Sequence, residues 1–269
     1  MRLAKAEAIY RPNILINGDF QVWQRGDSVS VATSQKGYTA DRWLLQNNRT
    51  DVPITAYRIY DGSENPTIQQ YYESYGSGIS ALTVSSARFL YLMDIEEAKK
   101  YEGKTVVLSY SLNKEITVNE PYTFTITETD KTNGYVQCFY RLMGIGEVLN
   151  WVKLEVGSVA TPFIPRLYAE ELALCQYYAR PYSVDGLRNC YYGNGDLQFR
   201  NEISFEMRSQ RTISEVSVTV RRTNSTTNLD VTTTALTCGS YFQHRFSHSY
   251  GSMSDAVLYA NYFIDAEIY

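Results

Sequence analysis

Residues 151–182, WVKLEVGSVATPFIPRLYAEELALCQYYARPY, decide how this chain is divided. The stretch NWVKLEVGS (150–158) reads as the closing strand of a β domain. Pro162 and Pro165 then force extended backbone and forbid a continuing ladder. After them, YAEELALCQYYAR (168–180) has helical texture. Glu170 and Glu171 in its first turn and Arg180 in its last match the helix dipole. Leu172, Cys175 and Tyr178 fall on one face, and Pro181 stops the run. So short a helix does not stand alone, so its apolar stripe is expected to pack on a neighbouring domain or a neighbouring subunit.

Upstream the texture is β. ILINGDFQVWQRG (14–26) reads as strand, turn at Asn17-Gly18-Asp19, strand. Strands are expected from YTADRWLL (38–45), ITAYRIYDG (54–62), GISALTVSS (78–86), ARFLYLMDI (87–95), TVVLSYSLN (105–113), PYTFTITETD (121–130) and YVQCFYRLMG (135–144), with one helical turn in IEEAKKYEGK (95–104) ended by Gly103. Short strands at this spacing predict an antiparallel β-sandwich or jelly roll. Its core face would draw on Val106, Leu108, Tyr110, Phe124, Ile126, Trp151 and Leu154. Downstream the β texture resumes, with the polar run TNSTTN (223–228) as a hairpin tip. The expected organisation is an arm over 1–12, a jelly-roll-like sandwich over 13–165, a linker helix over 166–181 and a smaller antiparallel β domain over 182–269. The fold class is all-β.

Composition narrows the function classes. The 269 residues carry 25 Lys+Arg against 29 Asp+Glu, a formal charge of −4, and 44% are hydrophobic. That is enough for a real core, and no basic stripe of a nucleic-acid binder is visible. Arg208, Arg211, Arg221 and Arg222 form the densest basic cluster, with acidic neighbours, and read as a solvated face. Four cysteines, Cys138, Cys175, Cys190 and Cys238, lie far apart without a CxxC pair, as small buried hydrophobes do in a reducing cytoplasm. No stretch reads as a signal peptide or a membrane helix, so no membrane insertion is expected.

No catalytic signature emerges. Gly76-Ser77-Gly78 and Gly157-Ser158 do not make a nucleophile elbow. His244 and His248 are spaced i, i+4 in YFQHRFSH, which reads as a strand. There they would lie about 13 Å apart, too far for one metal, and are expected to be ordinary surface histidines. Glu96, Glu97, Glu115, Glu128 and Asp130 are carboxylates that a glycan hydrolase could pair, but nothing local sets two of them across a sugar. The expectation is no catalytic residue, no metal and no cofactor.

Tyrosine stands out, with 24 in the chain against 7 prolines. Tyr suits half-buried strand positions, and it equally suits wet binding surfaces. Trp23, Tyr38 and Trp43 sit in strand-like runs and are expected in the core. Tyr71, Tyr72 and Tyr75 in the loop-like QQYYESYGSG (69–78), and Tyr191-Tyr192 beside Gly193-Asn194-Gly195, are the candidate carbohydrate-binding residues.

NILINGDFQVWQRG (13–26) with YTADRW (38–43) resembles the opening of the carbohydrate-binding-module-like β-sandwich of bacteriophage tail and virion proteins. Residues 151–182 resemble that module's last strand and the junction after it. The tail, with FEMRSQRTISEVSV and FIDAEIY, is similar in layout to the β domain that often follows. The resemblance implies a virion structural or receptor-binding protein of tail, fibre or spike type, frequently a homotrimer, made in the host cytoplasm and partnered by other virion proteins and a host-surface glycan. It does not imply catalysis. Some relatives in the wider class bind calcium through the segment matching Asn17-Gly18-Asp19; here Gln21 stands where an acid is common, and calcium is not carried over. A glycan-degrading depolymerase and a ligand-free connector or decoration protein are the alternatives.

Overall fold

Antiparallel strand pairing organises the computed structural model, which describes residues 10–50, 53–59, 67–71, 87–144, 147–193, 196–202, 207, 212–222, 226–238, 241–249 and 256–267. The chain forms two compact units, one running to Cys175 and the other spanning Gln176–Glu267. No helix among the described residues is long and apolar enough to cross a membrane.

In unit 1 the strands are β1 (Ser28–Val31), β2 (Lys36–Tyr38), β3 (Trp43–Asn47), β4 (Ile54–Ile59), β5 (Thr67–Tyr71), β6 (Ala87–Asp94), β7 (Thr105–Leu112), β8 (Glu115–Val118), β9 (Tyr122–Thr123), β10 (Tyr135–Met143) and β11 (Val148–Val156). The helices are α1 (Ile95–Ala98), α2 (Glu128–Asn133) and α3 (Tyr168–Gln176). One sheet runs β1-β4-β5-β11-β7-β8, with β9 beside β7; the other runs β10-β6-β3-β2. Their inner faces share one apolar core, as in a β-sandwich, with Ile54, Val106, Val152 and Leu154 from the first sheet and Trp43, Phe89, Tyr91 and Phe139 from the second. Trp43 sits edge-on to Phe20, Tyr91 and Phe139 at 4.9, 5.1 and 5.6 Å. Trp23 and Tyr38 are buried as well.

The period of two along β11 corrects one core expectation. Val152 and Leu154 point into the core, so Trp151, Lys153 and Glu155 point out. That outer face is covered by the chain that follows. Phe163 stacks on Trp151 at 4.9 Å. Lys153 and Glu155, 1% and 0% exposed, pair at 3.2 Å. Both hold Thr161: Lys153 Nζ donates to its hydroxyl and carbonyl oxygens, and the Thr161 N–H and hydroxyl donate to Glu155. The ladder ends at Val156, and the segment carrying the two prolines lies back over it.

Three other expectations change. PYTFTITETD is strand only at Tyr122–Thr123. Its acidic end instead starts α2, where Thr127 and Asp130 form a reciprocal capping box and Gly134, at φ 78°, closes the helix. The expected helix over 168–180 stops at Gln176, and it turns Glu171 and Cys175 inward while Leu172 is only half-buried. Pro181 does not stop it but lies within a strand of unit 2. The strand expected over 78–86 lies outside the described residues.

The largest change concerns residues 13–26, which make no strand. They form successive turns, with Asn17 and Phe20 at φ 56° and 58°. β5 pairs β11 only at Val148 and Leu149. Farther along, this turn segment occupies the edge of β11: Ile14 N–H donates to Leu154 O at 2.7 Å and Val152 N–H to Gly18 O at 2.7 Å. Gly18 permits the approach, because a Cβ there would run into the Asn13 side chain and the Val152 carbonyl. Side chains supply the bonds that a ladder would have made. Asn13 Oδ1 accepts from Leu15 and Leu154 N–H, and its Nδ2 donates to Val152 O. Asn17 Oδ1 accepts from Val22 N–H, its Nδ2 donates to Val22 O and Asp41 O, and its carbonyl accepts from Trp43 Nε1 at 2.7 Å.

Unit 2 contains β12 (Ala179–Gly193), β13 (Asp196–Glu202), β14 (Thr212–Arg222), β15 (Val231–Cys238), β16 (Tyr241–His248) and β17 (Ala256–Asp265). They form one antiparallel sheet in the order β14-β17-β12-β13-β16-β15. β13 pairs β12 only over 189–193. Pro181 therefore lies where β12 pairs with β17 alone among the described residues, a position in which a missing N–H is tolerated. The sheet curls until its first and last strands meet: Arg221 bridges Asn228, and Leu229 N–H donates to Val220 O at 2.7 Å. The curl encloses Val184, Leu197, Phe199, Phe242, Leu258 and Tyr262.

Asn17→Ala is expected to destabilise unit 1 by about 3 kcal/mol, because it strips partners from three buried backbone groups at once. Urea unfolding followed by tryptophan fluorescence measures it. A loss below about 0.5 kcal/mol, the range of ordinary surface substitutions, would show that the turn segment is not held as described.

Candidate functional site

Backbone pairing at Val220–Leu229 and Arg221–Asn228 joins β14 to the residues that lead into β15. Beside that closure the two strands leave a groove of about 460 Å³, lined by Glu215, Ser217, Thr219, Asn228, Asp230 and Thr233, with apolar contributions from Val218, Val220 and Phe246. Glu215 comes to the groove because β14 bulges between Glu215 and Ser217, which sets Glu215 opposite the inward-facing Tyr262.

Behind the groove lies a chain of side-chain hydrogen bonds linking four strands. Tyr262 OH is 2.6 Å from His244 Nδ1, His244 Nε2 is 2.8 Å from Thr233 Oγ1 and 3.1 Å from Glu215 Oε1, and Thr233 Oγ1 donates to Glu215 Oε1 at 2.8 Å. Burial, and then the Glu215 charge, raise the Tyr262 phenol, so it stays protonated and donates to Nδ1. The neutral imidazole then carries its proton on Nε2, facing Thr233 and Glu215. Burial pushes His244 down to about 4, against the upward pull of Glu215. The chain thus runs from the apolar interior to a carboxylate at the groove, with Glu215 Oε1 fixed and the side chain 35% exposed.

His244 corrects the expectation of a surface histidine: it is 0% exposed. The signal was in the sequence, because Phe242, His244 and Phe246 alternate along β16 and share its inward face. Glu215 and Thr233 carry no local signal, since only the closure of the sheet brings them together.

A second polar cluster lies in unit 1. Gln21 Nε2 donates to both Asp19 oxygens and to Arg166 O, and Arg166 pairs with Glu171 at 3.0 Å. Arg166 also donates to Leu15 O and Asn13 O, and Asn17 N–H donates to Glu171 Oε1. Burial, then Glu171, push the Asp19 carboxyl up to about 6. This cluster turns its polar atoms on the fold itself. No group of three or more His, Cys, Asp or Glu placed to hold a metal occurs among the described residues.

Of the tyrosines singled out by sequence, Tyr71 ends β5 opposite Thr55, and Tyr191 and Tyr192 lie near the end of β12 opposite Gln198 and Leu197. Tyr72 and Tyr75 lie outside the described residues. The two sets belong to different units. Cys138 and Cys175 are buried. No protein-family model, curated protein or solved structure matches the chain.

His244 makes the stability of unit 2 depend on pH with a definite sign. Its folded value, about 4, lies below the ordinary 6.5. The unfolded chain therefore binds more protons in that window, and the contribution present above 6.5 is lost as pH falls through about 4. Asp19 acts oppositely in unit 1: its contribution is present below 3.8 and lost as pH rises through about 6. Amide exchange of β16 and β17 is expected to quicken from pH 6.5 to 4 after correction for intrinsic rates, and His244→Asn should remove that trend. Flat protection across the window would contradict a buried neutral imidazole.

Proposed function

We propose that this chain is a bacteriophage virion structural protein of tail, fibre or spike type that attaches to host-surface glycans without covalent chemistry. The observation that carries the reading is the interlocking of two segments far apart in sequence. Residues 13–26 with 38–43, and residues 151–182, carry the resemblance to the carbohydrate-binding-module-like sandwich, and 13–26 and 151–182 hold each other through Asn13, Asn17, Arg166 and Glu171. Residues that mark the two ends of one module are thereby the residues that close it. Exposed apolar side chains at Val159, Ile164, Leu167 and Tyr168 offer unit 1 a surface to bury against copies of itself, which supports self-association; that the assembly is a homotrimer is what the resemblance implies.

The purified chain is expected to bind surface polysaccharide of its host on a glycan array, and particles lacking it should fail to adsorb. Adsorption unchanged together with an empty array would replace attachment by a ligand-free connector role. A fall in polysaccharide viscosity on adding the protein would replace it by a depolymerase. Light scattering at micromolar concentration should give three times the chain mass; a monomer mass would remove the trimer.

A further inference from the structure

Resting on the glycan-attachment reading, we propose that the saccharide site is the seam groove of unit 2, not the tyrosine-bearing strand ends, and that it takes neutral, hydroxyl-rich sugars. Its volume of about 460 Å³ lies within the range of small-ligand pockets, roughly 300–1,000 Å³, and suits one or two sugar rings.

The groove's polar atoms are already oriented by the fold. Glu215 Oε1 is held by Thr233 and His244, and Oε2 has no partner among the described residues. A carboxylate fixed by one oxygen offers the other as a hydrogen-bond acceptor with little left to order on binding. Asn228 Oδ1 accepts from Arg221 Nε at 2.9 Å, so what Asn228 presents is its Nδ2 donors. An anchored acceptor at Glu215 and oriented donors at Asn228, toward the Arg221 end of the groove, match the hydroxyls of successive sugars, each of which both donates and accepts.

Charge selects among sugars. The ionisable residues that line the groove, Glu215 and Asp230, are both acidic. Arg221, next along β14, is turned onto Asn228 and lies 5.5 Å from the Tyr259 ring. Sialylated or phosphorylated glycans would meet like charge, while neutral sugars would not. The groove also borders two sheet edges, where an extended peptide can add as a strand. Here the inward-turned Glu215 and the bulge after it blunt the edge of β14.

The test uses the full chain, calorimetry, and a panel of neutral oligosaccharides with sialylated and phosphorylated counterparts. Neutral members should bind, and Glu215→Gln should weaken them about tenfold or more, as expected for loss of a hydrogen bond to a charged group. Asn228→Ala, an exposed site with little bearing on folding, should also weaken them and keeps the test sound if the Glu215 variant unfolds. Tyr191→Ala and Tyr192→Ala should leave affinity unchanged. If both groove variants bind like the parent, or only the tyrosine variants lose binding, the groove assignment is overturned while attachment stands. Preference for the anionic members overturns the charge argument and the site with it. Binding to no glycan at all removes the attachment reading as well, and binding only to an extended peptide probe makes the groove a strand-addition site.

Discussion

Backbone that leaves water without joining a strand must find its hydrogen bonds elsewhere, and residues 13–25 of unit 1 live under that constraint. Residues 13–23 are buried yet form no ladder. An unpaired buried amide or carbonyl costs about 1–3 kcal/mol, so a dozen of them would exceed the net stability of a typical domain. Asn13, Asn17, Asp41 and Glu171 meet the demand. Asp41, itself fully buried, accepts from Gln24 N–H and pairs with Arg25 at 3.2 Å. The same contacts cover the edge of β11, carry α3 onto the sandwich through Glu171, and seat the Trp43 indole in the core. Removing the turn segment would therefore expose a sheet edge and a core face together.

Unit 2 answers a related problem differently. A curled sheet whose end strands only partly pair leaves a gap into its interior. Hydrogen bonds between side chains span that gap where backbone does not. Glu215 and Thr233 reach across it, and His244 and Tyr262 anchor them to the next two strands. Tyr and His suit this role because each buries an apolar ring and keeps a polar tip for a partner. The outer end of that chain is a carboxylate held at the groove, so one arrangement both seals the interior and prepares a binding surface.

Much of the strand content was legible because alternation is a local property. β7, β10 and the core positions Val106, Leu108, Phe124, Ile126 and Leu154 follow from it directly. The errors share one cause. The run 14–26 has the composition of paired strands but meets the edge of β11 through turns and side chains rather than a ladder. Trp151 has the hydrophobicity of a core residue but the wrong parity on β11, and the chain after β11 folds back to cover it. In PYTFTITETD, strand propensity yields at Thr127 to a capping box that only the last residues encode.

By itself the sequence determined an all-β chain with a joint near its middle, because period-two patterning, turn residues and paired prolines act over a few residues. The candidate site was settled only by tertiary structure. Glu215, Thr233, His244 and Tyr262 lie on four strands, and what relates them is the registers of five strand pairings and the curvature of one sheet. No residue in that set can sense the others until the sheet closes, and for that reason their shared chemistry is invisible along the chain.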